Sequence, residues 1–93
     1  MLTHLSTVED TFDISGRGLI VAPGIPLDGN WRILIGDTIT LERPDGSKVE
    51  SVVRGMESFR PSNATCIPLL LGSGLAKSDV PIGTKLWVTE RNS

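Results

Sequence analysis

Apolar and polar residues alternate with a period of two along several short stretches of this chain, and none carries the 3.6-residue period of a long helix. In Asp10 to Ser15, Phe12 and Ile14 alternate with Thr11, Asp13 and Ser15, the pattern of a half-buried strand. Gly16-Arg17-Gly18 follows, and glycine on both sides of one arginine allows a tight reversal with Arg17 at its tip. Leu19 to Ala22 resumes as a second strand, so Thr7 to Ala22 reads as an opening hairpin. Pro23 to Asn30 is dense in turn formers and reads as a loop. Trp31 to Ile35 is a short extended segment ended by Gly36-Asp37. Thr38 to Arg43 alternates again, with Ile39 and Leu41 on one face. Pro44-Asp45-Gly46 is a turn into the strand Lys48 to Glu57. There Val49, Val52 and Val53 break the alternation, as a bulge would.

After the loop Arg60 to Asn63, a strand is expected from Ala64 to Leu71, with Pro68 placing part of it at an edge or bulge. Leu75 to Asp79 reads as a single helical turn. The last strand is Lys85 to Thr89, with Leu86 and Val88 facing one way and Trp87 the other. Met1 to Ser6 has no periodicity and is expected to fray. Strands of this number and spacing predict a small all-β sandwich or barrel over residues 7–93, and because closing the sheet removes exposed edges, a closed barrel of six to seven strands is favoured.

Composition sharpens this picture. A chain of 93 residues supports one domain, and its aromatic residues are only Phe12, Phe59, Trp31 and Trp87, so the core rests on Val, Ile and Leu. The formal net charge is −2, with both signs interspersed. That balance argues against tight autonomous binding of nucleic acid, which calls for a basic field. Cys66 is the single cysteine and His4 the single histidine, so the sequence offers neither an internal disulfide nor a thiolate metal cluster. No apolar run approaches the roughly 20 residues of a membrane span, and a cytoplasmic location is expected.

A series of motifs resembles the second domain of elongation factor Tu and related translational GTPases. In order, they are Val8-Glu-Asp-x-Phe12-x-Ile14-x-Gly16-Arg17-Gly18, Ile35-Gly-Asp37-x-Ile39, Gly55-Met-Glu57-x-Phe59-Arg60, Leu69-Leu-Leu71 and Asp79-Val-Pro-x-Gly83-Thr84-x-Leu86. The resemblance spans about Thr7 to Val88. It implies a Greek-key β-barrel of the translation-protein type, which in that family helps to hold the aminoacylated end of transfer RNA. Glu57 and Arg60 match part of that pocket. No Gly-x-x-x-x-Gly-Lys-Ser/Thr occurs, so nothing supports GTP hydrolysis or a nucleotide cofactor. Cys66 stands where the family has asparagine, and Gly72, or Leu71 if the gap is moved, where it has arginine.

The candidate binding residues are Arg17, Trp31, Glu57, Phe59, Arg60 and Trp87. Arg17 can fork onto a phosphate or a partner's carboxylate, or it can be solvated or pair locally with Glu9 or Asp13. Glu57 and Arg60 can line a pocket with Phe59 as a stacking surface, or form a surface pair while Phe59 fills core. Trp31 and Trp87 can anchor a partner or cap the core. Cys66 reads as a small buried hydrophobe, and the only histidine lies at the chain's start, so no catalytic constellation emerges. The expectation is a non-catalytic binding module without cofactor, engaging a protein partner with a link to translation. The alternative is a small module that binds the 3′ or aminoacylated end of transfer RNA.

Overall fold

The computed structural model describes residues 2–14, 16–26, 33–56, 65–72 and 74–89. Seven strands run through these residues: β1 (Leu2–Thr7), β2 (Asp10–Ile14), β3 (Gly18–Pro26), β4 (Thr38–Glu42), β5 (Lys48–Met56), β6 (Cys66–Leu71) and β7 (Lys85–Thr89). A 3-10 turn, Lys77–Asp79, precedes β7, and no α-helix occurs among the described residues. The strands form one antiparallel sheet in the order β1-β7-β4-β5-β6-β3-β2.

The expected closed barrel is corrected to an open sheet. β1 and β2 are its two ends and share no ladder. Yet only Val8 and Glu9 separate them, which holds the Cα atoms of Thr7 and Asp10 within about 11 Å. A flat sheet in this order would hold its end strands six spacings, about 29 Å, apart. The sheet therefore curls until its ends meet at a covalent joint. Hydrogen bonds fasten the joint on both sides: Val8 N–H donates to Thr84 O (2.7 Å), Gly83 N–H to Val8 O (2.9 Å) and Glu9 N–H to Ala22 O (2.8 Å). The Ser6 hydroxyl adds a bond to Gly24 O at 2.7 Å.

Curling turns one face of every strand inward. Directly opposed residues form buried rows, among them Leu19–Leu71–Val53, Val21–Leu69, Ile39–Val88 and Leu41–Leu86. Val8 and Leu5 join this core from the first strand and its joint. Of Met1 to Ser6, expected to fray, Leu2 to Ser6 instead belong to strand β1, held by its ladder to β7.

In β2 the buried residue is Thr11 rather than Phe12, and the alternation lapses beyond it, with Asp13 exposed and Ile14 half-buried. Thr11 is 5% exposed and Phe12 47%. The register sets this, because Thr11 opposes the buried Val21 while Phe12 opposes Ile20 on the outer face.

The strand expected to end at Ala22 continues to Pro26, so Pro23 to Pro26 belong to β3 rather than to a loop. The β3–β6 ladder is interrupted between Val21 and Ile25, opposite Pro68, whose missing N–H fits such an irregularity. Gly24 makes the close approach there. Its φ is +85°, and a Cβ would strike the Ile67 carbonyl oxygen and lie 2.8 Å from Pro68 Cα. The bulge expected in β5 occurs between Val53 and Gly55.

The Pro44–Asp45–Gly46 turn closes as expected, with Gly46 N–H donating to Arg43 O at 2.9 Å. Asp45 Oδ1 accepts from the Ser47 hydroxyl (2.6 Å) and the Ser47 N–H (2.9 Å). These bonds, the hydroxyl's first, hold the Asp45 carboxyl below its ordinary value of 3.8.

Two predictions follow from these contacts. Gly24→Ala is expected to cost about 3 kcal/mol or more, combining a left-handed backbone with overlap. Gly46→Ala, at φ +91° with nothing within 4 Å, is expected to cost only about 1 kcal/mol. Urea unfolding of both variants measures the difference, and equal losses would contradict the packing argument.

A carboxyl with a depressed pKa contributes stability above its unfolded value, and that contribution is lost as pH falls through the folded one. Ser47→Ala is expected to move the NMR titration of Asp45 upward toward 3.8 and to remove this contribution.

Candidate functional site

The outer face of β2, β3, β6 and β5 carries a row of opposed residues, Phe12–Ile20–Leu70–Gly55. Leu19-Ile20-Val21 and Leu69-Leu70-Leu71 are apolar without interruption, so both faces of these strands are apolar. The inner positions fill the core, while Ile20 and Leu70 remain half-buried outside. An antiparallel sheet with one solvated face normally alternates, and continuous runs belong to strands covered on both sides.

Gly55 ends the row without a side chain and leaves a cleft of about 250 Å³, lined by Ile14, Arg17, Ile20, Arg54, Gly55, Met56 and Leu70. Its two cations arrive from separate elements. Arg17 sits at the β2–β3 turn, where its N–H donates to Ile14 O at 2.9 Å, between Gly16 (φ +76°) and Gly18 (φ +136°). Arg54 is the extra residue of the β5 bulge, the kind of irregularity that re-aims a side chain. Both are exposed, and no carboxylate is among the described residues that line the cleft. Among the described residues, neither Glu9 nor Asp13 forms an ion pair with Arg17.

Apolar surface continues past Arg54. Val52 is 41% exposed on the outer side of β5, and Gly72 N–H donates to Val52 O at 3.1 Å. The turn before β4 docks on the next residue, with Gly36 N–H donating to Val53 O (2.7 Å) and Val53 N–H to Asp37 O (2.9 Å). That turn holds Leu34 57% and Ile35 69% exposed. At the other end of the row, Lys77 Nζ lies 6.0 Å from the centroid of the Phe12 ring.

Of the expected site residues, the structure places Arg17 on this cleft. Glu57, Phe59, Arg60 and Trp31 lie outside the described residues; Glu57 directly follows Met56, the last residue of β5. Trp87 lies elsewhere on the sheet, with β4, β5 and β6 between β7 and β3. It is half-buried, its ring centroid is 5.2 Å from that of His4, and its Nε1–H donates to Glu42 Oε1 at 3.0 Å. Leu2, Thr40, Glu42, Lys48 and Trp87 line a smaller depression of about 140 Å³. Trp87 is thus tied into its own surface, and it does not converge with Arg17.

Arg54 is the site residue that the sequence reading missed. Its signal was present in the broken alternation of Val49, Val52 and Val53, which locates a bulge beside it. Cys66 is half-buried near the Thr65 hydroxyl, with 3.8 Å between Sγ and Oγ1, and no cluster of metal-ligating side chains forms among the described residues. No helix of the described residues is long and apolar enough to cross a membrane. No protein-family model, no curated protein and no solved structure matches the chain.

The Trp87 contacts are testable by themselves. Glu42→Ala is expected to cost about 1 kcal/mol and to shift the indole N–H resonance of Trp87, while Glu42→Gln, which keeps an acceptor, shifts it less. An unmoved indole resonance in Glu42→Ala would contradict the bond.

Proposed function

We propose that this protein is a non-catalytic binding module of the cytoplasm that engages a protein partner through the outer face of β2, β3, β6 and β5. The observation that carries the reading is the Arg17–Arg54 cleft: an apolar cross-strand row, open at Gly55, with two exposed guanidiniums from different elements. Exposed apolar surface of this kind, rimmed by charge, marks interaction sites. Arginine is also among the residues enriched where binding energy concentrates. The motif series from Val8 to Leu86 supports placing the curled sheet with the Greek-key barrels of translation proteins, similar to the second domain of elongation factor Tu, and linking the partner to translation.

A second reading uses the same guanidiniums, because arginine forks onto phosphate as well as onto carboxylate. In that reading the module holds the 3′ or aminoacylated end of transfer RNA, to which Glu57, Phe59 and Arg60 would contribute contacts. The net charge of −2 and the apolar walls favour the protein partner.

Affinity capture from source-cell lysate, with and without RNase, separates the two. The expected result is a protein recovered equally under both conditions and lost when the bait is R17E/R54E. Recovery of transfer RNA, abolished by RNase and by the same charge reversal, would replace the protein reading with the second. A captured protein indifferent to the charge reversal would overturn the assigned surface.

A further inference from the structure

We infer that the cleft takes an acidic, apolar segment of the partner protein, with an apolar side chain seated against Ile20, Leu70 and Met56 and an adjoining carboxylate held by Arg17 and Arg54. This rests on the protein-binding reading above and names the chemistry of what is bound.

Charge complementarity selects the segment. Arg17 and Arg54 lie at the cleft, and Lys77 stands over Phe12 at the far end of the same outer row. These three cations come from a turn, a bulge and a 3-10 turn, yet they border one apolar strip in a chain whose net charge is −2. On β2, Asp13 is exposed between Phe12 and Ile14 but opposes Leu19 rather than Ile20 of the outer row, while Asp10 lies on the side of Phe12 away from the cleft, where its Oδ1 accepts from the Thr11 N–H at 2.9 Å. Glu50, on the outer side of β5, stands beyond Val52 from Arg54.

Size selects a segment over a free small molecule. At about 250 Å³ the cleft is below the usual range for a drug-sized ligand and accommodates about one large side chain. Apolar surface at Val52, Leu34 and Ile35 continues beyond it, and only a longer occupant reaches that surface.

A second copy of this chain is a poor occupant, because an isologous contact on this face sets the arginines of one copy against those of the other. A nucleic-acid strand is disfavoured as well. It wants a basic track along repeated phosphates, and the walls here are isoleucine, leucine and methionine.

Gly55 supplies a variant that closes the cleft without disturbing the backbone. It is not among the glycines with positive φ, and a Cβ there meets Leu70 at an ordinary 3.7 Å. Gly55→Val is therefore expected to fill the space and to keep the fold, which its amide spectrum checks, and R17A/R54A removes the charge from two exposed positions.

The test is a titration of the isotope-labelled full chain, followed by backbone amide NMR, with pools of blocked pentapeptides. One pool alternates Asp or Glu with Leu, Ile or Phe; a second replaces the acids with Asn and Gln. A short oligoriboadenylate is the third probe. The acidic pool is expected to move the amide signals of Arg17, Ile20, Arg54, Gly55 and Leu70. The neutral pool should bind about tenfold or more weakly, as should the acidic pool to R17A/R54A and to Gly55→Val.

Equal binding of the two peptide pools, shifts confined to another face, or tighter binding of the oligoriboadenylate would each overturn the inference. If the acidic pool fails while lysate capture remains sensitive to R17E/R54E, the segment's chemistry is wrong and the module reading survives. If capture is insensitive too, both fall.

Discussion

The two-residue joint between β1 and β2 is the constraint on which the rest of this structure depends. It binds opposite ends of a seven-stranded sheet to each other, so the sheet has to curl. Curling gives every strand a concave side, and Val, Ile and Leu from seven short strands meet there in one core. The joint is itself part of that core, since Val8 is buried and exchanges backbone hydrogen bonds with Gly83 and Thr84. It draws the turn ahead of β7 against the first strand, while Glu9 reaches to β3. What is left outside is a convex face whose character differs from one half of the sheet to the other.

Much of this was legible in the sequence because glycine and proline punctuate it. Lys85–Thr89 fell where expected, Thr38–Glu42 and Lys48–Met56 within a residue, and the turns at Arg17 and Asp45 rest on glycines with positive φ. The inward side of β2 was not legible from β2 alone. Phe12 and Ile14 are its most apolar residues, but which face turns inward is a property of pairing, not of one strand. Its partner β3 must send Leu19 and Val21 to the core, and the register then carries Thr11 inward and Phe12 outward. The unbroken runs at Leu19 to Val21 and Leu69 to Leu71 held the clue, because such strands leave apolar residues on both faces. β1 escaped notice for a related reason. Its sequence has little amphipathic pattern, and its ladder to β7 makes it a strand.

The cleft was half legible. Arg17 is conspicuous between two glycines, whereas Arg54 looks like an ordinary charged residue of an exposed strand face. The extra residue in β5 gives Arg54 its significance by placing it beside Gly55, where the outer row lacks a side chain. A sequence shows which residues interrupt a pattern more readily than which distant residue the interruption brings near. Trp87 is the opposite case. It is conspicuous by type, yet the hydrogen bond to Glu42 and the ring of His4 already satisfy it.

The two halves of the convex face therefore differ in what they leave unmet. Around Trp87 the polar tip has its acceptor and the ring is flanked, so a partner would gain little by covering it. Around Arg17 and Arg54 an apolar row lies open, and burial of such surface is favourable at roughly 25 cal/mol per Å². That attraction alone discriminates poorly among partners. In the proposed complex the guanidiniums would supply the discrimination, because a neutral apolar partner would strip water from two charges without replacing it, and an unpaired buried charge is strongly unfavourable. A partner bringing a carboxylate to the same place avoids that penalty and gains charge-assisted hydrogen bonds. In the proposed complex the arginines would thus act against wrong partners at least as much as for the right one, which would let an exposed apolar row on a small curled sheet be selective.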